Sequence, residues 1–125
     1  MYINNGVDII EIERVEKVLQ KKGFIPKFFS EKEAELFAQK GAAAPQTVAA
    51  NFAAKEAFSK AMGTGFREYS LRDVAVLRDE LGAPYFELSG AAKELAELYR
   101  LKFTVSLSHS RELAIAFVTA YREED

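Results

Sequence analysis

No cysteine occurs in the 125 residues, and histidine occurs once. Disulfide frameworks, thiolate metal sites and cysteine nucleophiles are thereby excluded, and any metal must be held by oxygen atoms or by the single imidazole of His109. No stretch approaches the roughly eighteen apolar residues that mark a membrane span. The opening Met1-Tyr2-Ile3-Asn4-Asn5 lacks the basic and long apolar segments of a secretory signal, so a cytoplasmic protein without membrane contact is the expectation. A basic excess is also missing: the formal net charge is −2, which argues against nucleic acid as a partner. No internal repeat, low-complexity tract or linker divides the chain, and residues 1–125 are expected to form one domain. Hydrophobic residues at 49% and charged ones at 29% place it among ordinary soluble globular chains. At this length roughly 65–70% of the unfolded surface is buried on folding, enough for one core.

Ile3, Val7, Ile9 and Ile10 form a short β-favouring run, and Ile12, Val15, Val18 and Leu19 then recur at helical spacing, predicting a helix from Glu11 to Lys22. Gly23 closes that helix and Pro26 prevents its continuation. Ser30-Glu31-Lys32-Glu33 is a capping-box start for a second helix reaching about Lys40. Gly41-Ala42-Ala43-Ala44-Pro45 marks a break. Gln46 to Met62 then predicts a central alanine-rich helix ended by Gly63, its small residues permitting close approach of other backbones. The segments 73–77 and 84–88 read as a hairpin turning at Gly82, and Ser89 to Arg100 as a capped amphipathic helix. The segments 103–107 and 113–118 read as strands paired across residues 108–112. The fold class is α+β, an antiparallel sheet packed on helices with the alanine-rich helix at the centre.

Asp8 ends the first apolar run and Glu56 sits mid-helix among alanines. Two such carboxylates suit a hard cation such as magnesium, which keeps several waters and completes its shell with substrate phosphate; acidic residues are also commonly plain solvated surface groups. Lys60 follows Glu56 by one helical turn, either as an ordinary pair worth about 0.3–0.5 kcal/mol or, with a metal, as a neutraliser of a pyrophosphate under cleavage. Gly63-Thr64-Gly65 lacks the P-loop lysine and lies at a helix C-terminus, whose dipole repels phosphate, so binding there needs loop amides and nearby cations. His109 follows Ser106-Leu107-Ser108, but neighbours on a strand project to opposite faces, which disfavours a serine–histidine nucleophile pair and leaves a ligand-contacting or structural histidine. Lys55 lies on the apolar side of the central helix, either packing its stem across that surface or serving catalysis. Arg14, Lys17 and Lys21, at i, i+3 and i+7, form a basic stripe on the first helix, a solvated face or a docking surface.

Taken together, Gly6-Val7-Asp8-Ile9-Ile10-Glu11-Ile12-Glu13-Arg14, Phe52-Ala53-Ala54-Lys55-Glu56-Ala57-Phe58-Ser59-Lys60-Ala61 with Gly63-Thr64-Gly65, Gly82-Ala83-Pro84-Tyr85, Val105-Ser106-Leu107-Ser108-His109-Ser110 and Ala114-Ile115-Ala116-Phe117-Val118 occur in that order over nearly the whole chain. This succession resembles the holo-acyl-carrier-protein synthases. The resemblance implies the 4′-phosphopantetheinyl transferase fold and magnesium-dependent transfer of 4′-phosphopantetheine from coenzyme A to a serine of an acidic acyl carrier protein, releasing adenosine 3′,5′-bisphosphate. It also implies that Asp8 and Glu56 hold the metal, that Lys60 lies beside the reacting phosphates, and that Gly63, Gly65, Pro84 and His109 belong to the coenzyme A site. Arg14, with Lys17 and Lys21, would face the carrier, and a homotrimer would have active sites between subunits. One position departs from the pattern: many family members carry arginine just before Phe-Ala-Ala-Lys-Glu, where this chain has Asn51. Asparagine hydrogen-bonds but supplies no cation, so a phosphate or partner contact is expected to be weaker or to come from elsewhere. Two other readings are a noncatalytic carrier-protein or nucleotide-binding module and a phosphoester hydrolase; carrier-dependent transfer separates both from a transferase.

Overall fold

The computed structural model of the chain describes residues 1–63 and 68–123. Strand β1 (Tyr2–Glu11) runs directly into α1 (Ile12–Val18), followed by α2 (Phe24–Phe28) and α3 (Glu31–Lys40). A 3₁₀ turn, Gly41–Ala43, leads into the 19-residue α4 (Ala44–Met62). A second such turn, Leu71–Asp73, precedes β2 (Val74–Arg78), β3 (Pro84–Leu88), α5 (Gly90–Leu98), β4 (Lys102–His109) and β5 (Leu113–Arg122). The class is α+β, as the sequence suggested, but the strands among the described residues form two antiparallel sheets rather than one: β1-β5-β4 and β2-β3. None of the described helices is long and apolar enough to cross a membrane.

Several boundaries differ from the sequence expectation for identifiable reasons. Helix α1 stops at Val18, because the amides of Gln20 and Lys21 then donate three residues back, to Lys17 and Val18, and tighten the chain into turns. Lys21 therefore lies outside the helix that carries Arg14 and Lys17. Helix α4 begins at Ala44 rather than Gln46, taking Pro45 into its first turn, where a missing N–H breaks no helical bond. Helix α5 ends at Leu98, and Ser89 precedes it without the side-chain cap its identity suggests. The Ser30 capping box is present in full, with Glu33 N donating to Ser30 Oγ and Ser30 N to Glu33 Oε1.

Small residues explain how α4 becomes the axis of the molecule. Ala53, Ala54, Ala57 and Ala61 on the helix meet Ala116, Val118 and Ala120 on the inner face of β5, all buried. Where β1 crosses α4 even an alanine does not fit: a Cβ on Gly6 would overlap the Ala57 carbonyl oxygen and lie 2.8 Å from the Ala61 nitrogen. Asn4 secures the crossing by donating from Nδ2 to Ala61 O at 2.8 Å. On the opposite face of this sheet, Val7 pairs with Phe117 and Ile9 with Ile115, and all four are exposed.

Candidate functional site

The β1–α4 crossing dictates where the acidic residues meet. Alternation along the strand puts Asp8 on the same side as Gly6, so the close contact at Gly6 carries the Asp8 carboxylate to the helix face bearing Glu56 and Lys60. Lys60 donates from Nζ to Asp8 Oδ1 at 3.2 Å and to the Val7 carbonyl at 3.0 Å. It thus reaches across to the strand instead of closing a hydrogen bond with Glu56 one turn away. Burial first, and the Asp8 charge second, raise the Glu56 pKa above its ordinary value, with Lys60 opposing them. Asp8 and Glu56 line one cleft of about 360 Å³ together with Arg14, its apolar wall made by Val18, Phe24 and Phe52.

No group of three or more aspartate, glutamate or histidine side chains among the described residues forms a closed metal cage. A pair of carboxylates in an open cleft nevertheless fits magnesium, which binds through one or two carboxylates and keeps positions for water and phosphate oxygens. The Asp8 charge, second to burial in raising Glu56, is the electrostatic counterpart of that fit, since a cation between the two groups offsets it.

A second cleft, of about 250 Å³, gathers the ends of several elements: Lys40 closes α3, Gln46 and Thr47 open α4, Arg78 ends β2, Pro84 begins β3 and His109 ends β4. The β2–β3 turn is built for this. Asp79 Oδ1 accepts from Leu81 N and Ala83 N, each at 2.9 Å, while Gly82 takes φ 87°, a region open to glycine at little cost. Leu107 and His109 both line the cleft, as alternation requires, whereas Ser108 between them does not. His109 is exposed, its Nδ1 3.3 Å from the Ser110 carbonyl.

Between the clefts runs a buried polar network that the sequence did not reveal. Glu33 and Lys55 are fully buried and paired at 2.7 Å, and Lys55 also donates to the carbonyls of Leu71 and Val74. Lys55 therefore packs structurally, but by complete burial with bonded charge rather than by snorkelling. Burial pulls its pKa down while Glu33 pulls it back. The other Glu33 oxygen accepts from Asn51 Nδ2 at 3.0 Å and from Val76 N at 3.2 Å. Asn51 also donates to the Val76 carbonyl, and its Oδ1 accepts from the Arg78 guanidinium at 2.8 Å. The capping pattern pointed to Glu33 as a helix start only, and no local signal in the sequence ties Arg78 to Asn51, 27 residues away.

The structure thus brings Asp8, Glu56, Lys60 and Arg14 together and groups Pro84 with His109 separately. Gly63 closes α4 just past Lys60, its N–H donating to Ser59 O at 3.0 Å. Gly65 lies outside the described residues. Lys17 is exposed and 3.5 Å from Glu13, and Lys21 is exposed in the turn after α1.

The chain matches the family described as the 4'-phosphopantetheinyl transferase superfamily over residues 5–118. A holo-[acyl-carrier-protein] synthase of Clostridium novyi is 45% identical over 119 residues, 94% of this chain and 86% of the relative. The crystal structure of a holo-[acyl-carrier-protein] synthase from Neisseria meningitidis superposes with a TM-score of 0.88 at 32% identity, covering 95% of this chain and 98% of that one. That of a Bacillus anthracis holo-(acyl-carrier-protein) synthase in complex with CoA (3',5'-ADP) gives 0.79 at 38% identity, covering 94% of each chain.

Proposed function

This chain belongs to the 4′-phosphopantetheinyl transferase superfamily, and from that membership we propose that it transfers 4′-phosphopantetheine from coenzyme A to a serine of an apo-acyl carrier protein. The observation that carries the reading is the convergence of Asp8, Glu56 and Lys60 where β1 crosses α4, on the edge of an open cleft. In the reaction the serine oxygen attacks the β-phosphorus of the coenzyme A pyrophosphate. A serine O–P bond forms, the P–O bond to the adenosine-bearing phosphate breaks, and adenosine 3′,5′-bisphosphate leaves with that electron pair. Lys60, free to turn its ammonium from Asp8 toward the pyrophosphate, meets the charge growing on the leaving phosphate. Asp8 and Glu56 are the residues that would hold magnesium, which when bound supplies positive charge against the pyrophosphate oxygens. The serine proton passes to a basic oxygen of the site.

The working assembly in this reading is a homotrimer acting in the cytoplasm. Support comes from the exposed apolar sheet face, where Val7, Ile9 and Phe117 are 53%, 55% and 45% exposed. It also comes from the two clefts, which share no lining residue; copies joined through the sheet would let coenzyme A reach the carboxylates of one chain and Pro84 and His109 of the next. Arg14, inside the carboxylate cleft, with Lys17 and Lys21 beyond it, offers cations to an acidic carrier. Arg14→Glu is accordingly expected to raise KM for the carrier and leave KM for coenzyme A nearly unchanged; equal carrier kinetics for variant and parent would remove the docking assignment.

Product analysis tests the reaction itself. Adenosine 3′,5′-bisphosphate is expected from coenzyme A and magnesium only when apo-carrier is present. Release without a carrier would mark a hydrolase, and no release with competent carriers would mark a binding module.

A further inference from the structure

Arg78 is a half-buried cation with no carboxylate of its own. The acid nearest to it electrostatically is Glu33, whose charge is already met by Lys55 at 2.7 Å, and Arg78 has no ion pair among the described residues. Its guanidinium donates at 2.8 Å to Asn51 Oδ1 and at 3.4 Å to its neighbour's carbonyl at Leu77. Five N–H donors in a planar fork leave several unspent. Beside it in the same cleft stand Lys40 and His109, and no acidic residue lines that cleft, in a chain whose net charge is −2. Gathering cations in a partly desolvated cleft is unfavourable in the free protein and becomes favourable when an anion enters.

The surroundings strengthen the anion reading. The cleft is bordered by the first turn of α4, which has no side-chain cap, so the positive end of a long helix dipole adds to the basic side chains. Asn51 is rigidly placed: fully buried, it donates to Glu33 and to the Val76 carbonyl, which leaves Oδ1 directed to Arg78. The guanidinium is therefore set in its orientation before any ligand arrives, which lowers the entropy lost on binding.

We propose that Arg78 is a phosphate-binding residue of this chain, presented to the basic cleft by Asn51 as its positioning residue. The inference rests on coenzyme A being the substrate. The reacting pyrophosphate belongs with Asp8, Glu56 and Lys60, so the group that Arg78 takes is the one phosphate of coenzyme A outside the reaction, the 3′-phosphomonoester.

Binding measured without turnover separates this inference from the transferase reading. Calorimetric titration of the intact protein with adenosine 3′,5′-bisphosphate and with adenosine 5′-monophosphate is expected to show that the parent prefers the bisphosphate. Arg78→Ala is expected to lose on the order of tenfold to a hundredfold in bisphosphate affinity, the scale of hydrogen bonds to a charged group, while its monophosphate affinity stays put. Arg78→Lys keeps part of the preference. Asn51→Ala, whose folding is checked by thermal melting, shifts the preference in the same direction through a looser guanidinium. The same split is expected in transfer, as a raised KM for coenzyme A but not for 3′-dephospho-coenzyme A, with kcat nearly unchanged. Equal losses for both nucleotides in Arg78→Ala, or none, would overturn the proposal. Intact bisphosphate preference in a parent that never modifies a carrier would uphold Arg78 and sink the transferase reading alone.

Discussion

Burial, and after it the Asp8 charge, hold the Glu56 pKa above the ordinary value, so the charged form of this carboxyl is disfavoured in the folded protein. A carboxyl whose folded-state pKa is raised favours the folded state below the unfolded pKa, and that contribution is lost as pH rises through the folded value. Glu56→Gln removes the unfavourable charge, so in metal-free buffer it is expected to melt above the parent at pH 7, the gap closing as pH falls toward 4. Transfer should nevertheless drop on the order of 10²–10³-fold, the loss typical of one charge-stabilising group at a reacting centre. A thermal melt series against pH, run beside an activity assay, checks both; an unchanged melting temperature at pH 7 would contradict the electrostatics. Lys60→Ala is expected to lower kcat far more than it raises KM for coenzyme A, because the ammonium is placed against charge that grows in the transition state. Steady-state kinetics decide it, and a KM effect alone would make Lys60 a binding residue. Asp8, Glu56 and Lys60 were legible because they sit in contiguous family-like segments. Arg78 was not: its meaning depends on a contact with Asn51 that only the folded chain makes.

At the scale of elements, the contact of β1 with α4 is the joint on which the carboxylate pair depends. Gly6→Ala must separate a strand from a helix backbone rather than nudge a side chain, so a loss of about 3 kcal/mol, the upper end for overpacking, is expected in denaturant unfolding. Any folded remnant should show reduced transfer, because Asp8 moves with Gly6. Near-parental stability would mean that the crossing is looser than described. The helices were largely readable from their punctuation: the Ser30 capping box and the small-residue run of α4 identify themselves locally. The pairing of β1 with β5 was not, since residues 2–11 and 113–122 meet from opposite ends of the chain and nothing local specifies their register. The helical apolar period through Leu19 also concealed the end of α1, because the tight turns that follow preserve part of that spacing.

For the whole molecule, the informative strand is β5, which is apolar on both faces: Ala114, Ala116, Val118 and Ala120 inward, Leu113, Ile115 and Phe117 outward. A strand of that kind is suited to cover on both sides, and α4 covers only one. This double-sided pattern is present in the sequence, but it reads there as a plain strand, because which face is covered is decided by the packing of α4. If copies of the chain close over that face and share active sites, Glu56→Gln and His109→Ala chains, each impaired alone, should regain transfer when refolded together, since some sites would then combine an intact Glu56 with an intact His109. Light scattering should give the mass of three chains. A mixture no better than its parts would place both residues in one chain's site. The central claim, that this fold moves phosphopantetheine onto a carrier, is tested most directly by the intact mass of an apo-acyl carrier protein incubated with the protein, coenzyme A and magnesium. A gain of one phosphopantetheine group, absent when the carrier serine is replaced by alanine, is the predicted result; an unchanged mass with competent carriers would contradict it.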